Sequence, residues 1–250
     1  MPSFSRKTPE QQYLLLKPVI DDILAHPEKA AQHDPAVILA LTELLEAIPT
    51  PPGIVSAKII GEDDAMRFIR VVLGIEPTPA ALRAGYTDPV TPEQRLIIES
   101  VEKNKRTAVV SGHGVGKTAA LGIISLRYLL QKPERRVITT ASNWPQVEKV
   151  LWSEIRKRHA NARVRLPGRP TKTNIEIAPG WYAVGLSTDE YARFSGHHSP
   201  VGTLVVIDEA TGVRPEVAAA AQSMITGPDD RLLAAGNPTD PTSWFKVASE

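Results

Sequence analysis

The sequence predicts an α/β domain, a mostly parallel sheet flanked by helices, behind a helical N-terminal region. Three observations predict it. From about residue 91 onward, short apolar, β-branched runs alternate with longer stretches of helical periodicity. One of these runs stops at a glycine-rich turn that opens a helix, and another stops at an adjacent pair of acidic residues. Glycines and carboxylates at strand C-termini lie where open α/β sheets bind ligands.

Composition narrows the class before any motif is read. At 250 residues with 42% hydrophobic and 23% charged side chains, the chain has the make-up of an ordinary globular protein. No apolar run reaches the roughly 18 residues of a membrane span, and the N-terminus MPSFSRKTPE leads into no signal-peptide core, so a cytosolic protein is expected. The absence of cysteine excludes disulfides, thiolate metal sites and cysteine nucleophiles. A formal net charge of +1 argues for no partner by itself.

Residues 1–85 form the expected helical region. Residues 11–25 and 35–47 carry Leu, Ile and Val at three- and four-residue spacings, residues 63–73 read as a shorter third helix, and TPPG at 50–53 breaks the pattern. No catalytic constellation lies there. The second expected domain, 86–250, begins with YTDPVTPEQRLIIESV. Thr91 caps a helix starting at Pro92, with Gln94 on its first turn. A carboxamide there is either a solvated side chain or a reader of N6 and N7 of adenine.

The next stretch, TAVVSGHGVGKTAA, is a strand, a phosphate-wrapping loop and a helix start. Gly112, Gly114 and Gly116, with Ser111, His113 and Val115 between them, let successive backbone N–H groups turn toward phosphate oxygens at a helix N-terminus. Lys117 neutralises phosphate charge and the Thr118 hydroxyl ligates Mg²⁺. The first position of the usual G-x-x-x-x-G-K-[ST] pattern is Ser111, which is small enough to keep the turn.

Residues 136–142 (RVITTAS) are a second buried strand feeding an amphipathic helix whose expected buried stripe is Val147, Val150, Leu151 and Ile155, with Trp144 and Trp152 as packing residues. From Arg156 to Lys172 the chain holds seven Lys or Arg and no Asp or Glu. These are Arg156, Lys157, Arg158, Arg163, Arg165, Arg169 and Lys172, either a solvated helix end or the best candidate for contact with the nucleic-acid backbone. Residues 174–178 and 181–187 form a hairpin around Pro179-Gly180, followed by a polar loop, TDEYARFSGHHSP.

TLVVIDEAT at 203–211 is the second half of the nucleotide site. Asp208 holds Mg²⁺ through its water shell and Glu209 polarises an attacking water as general base. A last strand, 232–235, ends in Gly236-Asn237-Pro238, where Asn237 suits a γ-phosphate sensor or an ordinary turn. Residues 242–250 begin a helix that stops, the expectation being a truncated chain with further domains missing.

SGHGVGKT, TASNWPQVEKVLWSEI, FSGHH, VVIDEATGV and LLAAGNPT occur in that order. Together they resemble the ATPase domain of the large terminase subunit of tailed bacteriophages, the motor that packages DNA into procapsids. The likeness runs from about Thr91 to the C-terminus. It implies a P-loop NTPase of RecA/ASCE type that uses ATP and Mg²⁺. The Walker A loop is then Ser111 to Thr118, the Walker B pair Asp208 and Glu209, the coupling motif Gly236 to Pro238, and Gln94 an adenine reader. It further implies double-stranded DNA as partner, a homo-oligomeric ring on a portal or procapsid, a small terminase subunit beside it, no membrane, and the host-cell cytoplasm. Many family members carry an arginine in the phosphate loop where this chain has His113. The trans-acting arginine finger implied by the family is placed at Arg193, close to Gly196, ahead of Arg158 and Arg156. A nuclease domain is expected to follow, so no cleavage is expected of these residues. The competing readings are a helicase-like DNA translocase and a nucleotide-binding switch or prophage remnant that does not turn ATP over.

Overall fold

The computed structural model describes residues 65–112 and 114–249, with the backbone alone at 190–193 and 195. The chain divides into Met1–Val55 and Ser56–Glu250, and everything described lies in the second unit. The helices expected at 11–25 and 35–47 lie outside the described residues.

The elements follow the predicted alternation. A short helix α1 (Ala65–Arg67) runs on as a π-turn (Phe68–Val72), followed by α2 (Pro79–Arg83) and α3 (Pro92–Lys103). Then come β1 (Arg106–Val110), α4 (Lys117–Gln131), β2 (Arg136–Ala141), a second π-turn (Gln146–Leu151) and α5 (Trp152–Ala160). The three strands β3 (Arg169–Pro170), β4 (Asn174–Ala178) and β5 (Trp181–Gly185) precede a 3₁₀ stretch (Thr188–His197). Last are β6 (Thr203–Asp208), α6 (Pro215–Ser223), β7 (Arg231–Gly236) and α7 (Trp244–Ala248).

One seven-stranded sheet in the order β1-β7-β6-β2-β5-β4-β3 organises them. The first five strands in that order are parallel, and the β5-β4-β3 end is antiparallel. Side chains alternate across the pleat. Leu204 and Val206 of β6, with Leu233 of β7, face a core shared with α1, α3, α4 and α5. Val205, Ile207 and Leu232 face a second core under the 3₁₀ stretch, α6 and α7. Every residue of β6 is buried, which is why its sequence reads as an unbroken apolar run. Phe68, Ile69 and Val72 belong to the first core, so that core begins well before residue 86.

Three sequence expectations need correcting. Val150 is 41% exposed, and the buried stripe is Val147, Leu151, Trp152 and Ile155. The cause is the π-turn: the Trp152 N–H bonds to the Val147 carbonyl, an i→i+5 closure that moves the buried face on by one residue. Trp152 packs fully, donating Nε1–H to Thr139 Oγ1 at 2.8 Å, over Gly185, where a Cβ would stand 2.5 Å from that nitrogen. Trp144 does not pack in the core; it is 38% exposed and donates to Glu148. The stretch read as a polar loop is the 3₁₀ segment Thr188–His197, pinned to the second core by the fully buried Phe194.

Candidate nucleotide site

The C-terminal ends of the parallel strands gather the site. β7 lies between β1 and β6, with Val110 paired to Gly236 and, on the far side of β6, Ala141 paired to Asp208. The glycine-rich loop therefore leaves β1 beside the end of β7, and its helix crosses over to β6. The Ser111 N–H continues the ladder by donating to the Gly236 carbonyl at 3.2 Å.

The loop adopts the backbone that its glycines permit. Gly114 and Gly116 have φ of 81° and 79°, a left-handed region that side chains with a Cβ occupy at a cost, and Gly116 caps α4. The buried Lys117 ammonium donates to the carbonyls of Ser111 and Gly112 at 3.0 and 2.8 Å. It thus bridges the mouth of the loop at the N-terminus of a fifteen-residue helix, where the helix dipole also favours an anion. The Ser111 hydroxyl oxygen is buried with no hydrogen-bond partner among the described residues.

Thr118 Oγ1 donates to Asp208 Oδ2 at 3.3 Å, a contact closed across ninety residues of sequence. Asp208 is 1% exposed, and burial holds its carboxyl above the ordinary aspartate range. The Glu209 N–H, the Thr118 hydroxyl and the Lys117 charge oppose that shift, while the Glu209 carboxylate adds to it. Glu209 itself sits at φ 49°, one of two non-glycine residues with positive φ among those described. Its amide folds back on Asp208 Oδ1 at 3.0 Å. A left-handed non-glycine residue at a strand end is backbone strain of the kind that gathers at functional sites.

These groups fit a nucleotide with Mg²⁺. One hydroxyl and one carboxylate are the protein share expected for an ion that keeps several waters and takes phosphate oxygens. The described residues contain no cluster of three or more His, Cys, Asp or Glu, so a dedicated all-protein metal cage is not what they offer. The unpartnered Ser111 hydroxyl and the glycine N–H groups supply donors for phosphate.

Gln94 comes to this site by a route that periodicity did not suggest. It forms a capping box with Thr91, accepting the Thr91 N–H at 3.1 Å and returning its own N–H to the Thr91 hydroxyl. Its Nε2 donates to the Gly116 carbonyl at 3.0 Å, and a Cβ on Gly116 would lie 2.5 Å from that nitrogen. Each end of the carboxamide is thus held by one bond to the chain, leaving its second N–H and second lone pair for a further partner. The signal was present in the sequence as T-x-x-Q ahead of an apolar helix.

Sequence reasoning missed Thr211. Its hydroxyl donates to the Asn237 carbonyl at 2.7 Å, tying the turn after Asp208-Glu209 to the turn after β7. Gly236 makes room for this tie: a Cβ there would stand 3.1 Å from both the Ala210 nitrogen and Thr211 Oγ1. Only the adjacency of β6 and β7 exposes the link. His113 and the Arg193 side chain lie outside the described residues; the Arg193 backbone is in the 3₁₀ stretch between β5 and β6.

The basic run lies elsewhere. Arg169 is on β3, six strand spacings from β1, about 29 Å along the sheet. Its seven cations are not equivalent. Arg158 pairs with Glu154 at 2.6 Å, Arg163 with Glu76 at 2.9 Å, and Arg156 donates to the carbonyls of Lys172 and Glu148. Lys172 is 3.8 Å from Glu148 but exposed. Lys157, Arg165 and Arg169 are exposed and form no ion pair among the described residues.

No family model matches the chain. A probable terminase large subunit of Enterobacteria phage P7 is 32% identical over 164 residues, 61% of this chain and 33% of that protein. Among solved structures, a mutant form of the large terminase ATPase domain of Thermus phage P74-26 superposes with a TM-score of 0.51 at 18% identity, over 69% of this chain and 74% of that domain. A large terminase from a thermophilic bacteriophage gives a TM-score of 0.51 at 15% identity, over 64% of this chain and 42% of that one. By sequence and by fold alike, the chain resembles large terminases. It spans about a third of the length of the curated relative. The α/β fold expected from the sequence, a mostly parallel sheet flanked by helices, is the fold of these terminase ATPase domains.

Proposed function

We propose that this chain is the ATP-hydrolysing motor domain of a DNA-packaging large terminase. The single observation that carries the proposal is the Thr118–Asp208 contact, which joins the glycine-rich loop to the acidic strand end within 3.3 Å. With Lys117 and Glu209 beside it, this is the constellation that phosphoryl transfer to water needs.

Bound at Thr118 and Asp208, Mg²⁺ would neutralise charge developing on the β- and γ-phosphates. Lys117, held by the Ser111 and Gly112 carbonyls, would exchange them for phosphate oxygens on nucleotide binding. Glu209, at the strained strand end beside Asp208, accepts a proton from the attacking water. The Thr211–Asn237 bond carries the change at the γ-phosphate end of β7 to the turn after β6, and it is the natural place for hydrolysis to be read out.

Double-stranded DNA is the proposed track, held by Lys157, Arg165, Arg169 and Lys172 through backbone phosphates at the sheet edge remote from the nucleotide. A ring of like chains on a portal, with a small subunit beside it and Arg193 acting across subunits, completes the proposal, in the cytoplasm of the host. Among the described residues no helix is long and apolar enough to cross a membrane.

Steady-state ATPase activity against protein concentration, with and without duplex DNA and with Glu209→Gln as blank, tests the reading. Specific activity that climbs with concentration or DNA is expected. Measurable ATP binding with turnover at the blank level under all conditions overturns it in favour of a switch.

A further inference from the structure

Glu209 stands at φ 49°, a conformation that a residue with a Cβ keeps only where its surroundings hold it. On the strand side the hold is plain: β6 is paired with β2 as far as Asp208 and with β7 as far as Ile207. On the other side the chain makes a single 3₁₀ turn (Ala210–Gly212), closed by the Gly212 N–H on the Glu209 carbonyl and the Val213 N–H on the Ala210 carbonyl. So short a turn has little stability of its own and must be fixed from outside.

The chain after β7 fixes it. Thr211 bonds to the Asn237 carbonyl, and the Trp244 indole donates Nε1–H to the Val213 carbonyl at 2.7 Å. Trp244 is the first residue of α7, whose N-cap Ser243 is buried and accepts the Lys246 N–H. Next to it Phe245 is fully buried in the second core. Its ring meets the indole in a T-shaped contact at 5.8 Å, and its Cε1 lies 3.2 Å from where a Cβ on Gly236 would stand. Phe245 thus anchors α7 at the end of β7, and the half-buried indole reaches from that anchor to the far end of the turn. Packing alone does not call for an indole here. A phenylalanine fills most of the same space, but it leaves the carbonyl of Val213, a residue 3% exposed, without this donor.

We infer, resting on Glu209 as the general base of hydrolysis, that Trp244 is a positioning residue for that base: its indole N–H pins the Val213 end of the turn and so keeps the Glu209 backbone in its strained conformation. Trp244 acts through Glu209 and not on the substrate. With the turn held at Asp208, at Thr211 and at Val213, the carboxylate keeps its place during proton transfer. Released at Val213, the Glu209 backbone relaxes toward an ordinary φ and the base shifts, while the glycine-rich loop between β1 and α4 is untouched. Loss of the indole bond therefore slows the chemical step and spares ATP binding.

Steady-state ATPase kinetics of the 250-residue chain with duplex DNA test this, comparing wild type, Trp244→Phe, Glu209→Gln and Trp144→Phe. Trp244→Phe is expected to lower kcat by about tenfold with KM and filter-binding affinity for ATP unchanged, a split that general loosening of the fold does not produce. Trp144→Phe also loses an indole bond, the one to Glu148, and keeps the wild-type kcat. If Trp244→Phe does not fold, Ser243→Ala decides in its place: loss of the cap loosens α7 and lowers kcat in the same direction with KM held. A wild-type kcat in the deciding variant, or a KM that rises in step with the fall in kcat, overturns the inference, and turnover lost in Glu209→Gln then leaves the ATPase reading standing. Turnover in Glu209→Gln equal to wild type, whether both are active or both silent, removes the base and this inference together.

Discussion

The two ends of the sheet solve the burial of charge differently. At the candidate nucleotide end, Lys117 and Asp208 are buried at the first residue of α4 and the last of β6, each next to backbone in left-handed conformations, at Gly114 and Gly116 and at Glu209. At the opposite end, Arg127 is buried within the regular helix α4, and Arg135 just before β2, one residue after Glu134, the other non-glycine residue of positive φ among those described. Strained backbone places a charge where a reacting ligand must be met at close range. Regular backbone, as at Arg127, places it by periodicity alone and leaves no motif. The first kind of placement can be read from a short string of residues, and the second only from the packed structure.

The largest effect that sharpens this contrast lies at Glu209. Glu209→Gln is expected to lower kcat by about 10³ while ATP still binds, because a general base contributes about 10²–10⁴ to such a step; single-turnover kinetics with a filter-binding control reads both quantities. A variant with unimpaired turnover removes Glu209 from the chemistry. Next is the strain itself. Gly116→Ala puts a Cβ at a φ of 79° and against the Gln94 carboxamide, so a loss of about 1–2 kcal/mol in urea unfolding is expected, together with weakened ATP binding. Wild-type stability and affinity in that variant break the link between strain and site.

A third prediction separates cations that are engaged from those that are open. Replacing Lys157, Arg165 and Arg169 with Gln flattens the salt dependence of DNA binding by about 0.9 per lost phosphate contact, whereas Arg158→Gln leaves the slope unchanged because Glu154 already holds that side chain. An equal effect from Arg158→Gln rejects the division.

The smallest effect is a matter of pH. The folded Asp208 carboxyl titrates above its unfolded value, so the protonated form favours folding. Its contribution is complete below the ordinary aspartate range and is lost as pH rises through the raised value. Asp208→Asn therefore melts higher than wild type at neutral pH, with an advantage that disappears in acid. Parallel thermal scans at several pH values check this, and a variant that melts lower at neutral pH contradicts the burial penalty.

The legible parts of the molecule have local causes. The unbroken apolar run of β6, the hairpin around Gly180 and the glycine turn after β1 all follow from single-residue conformational preferences and read directly. Hydrophobic spacing misplaces Val150 because it assumes 3.6 residues per turn and a π-turn does not keep it. The 3₁₀ stretch looks like a polar loop in the sequence because one aromatic, Phe194, anchors it, too little for a periodic signal. The chemistry of Gln94 is legible in the sequence, and so is the T-x-x-Q capping box that holds it.

By itself the sequence determined the order of most of the strands and helices from residue 91 on, and it put a glycine-rich turn and an acidic pair at strand C-termini, the residues proposed to meet phosphate. Each of these rests on what a few neighbouring residues can do with their own backbone. Only the tertiary structure decided that β7 lies between β1 and β6, that Thr211 bonds across to Asn237, and that Arg163 is spent on Glu76 while Arg165 is left exposed. It alone gathered Arg127, Arg135 and Arg231 around one cavity. Those pairings join residues far apart in the chain, and their partners are chosen by strand order and packing, quantities that no local pattern encodes.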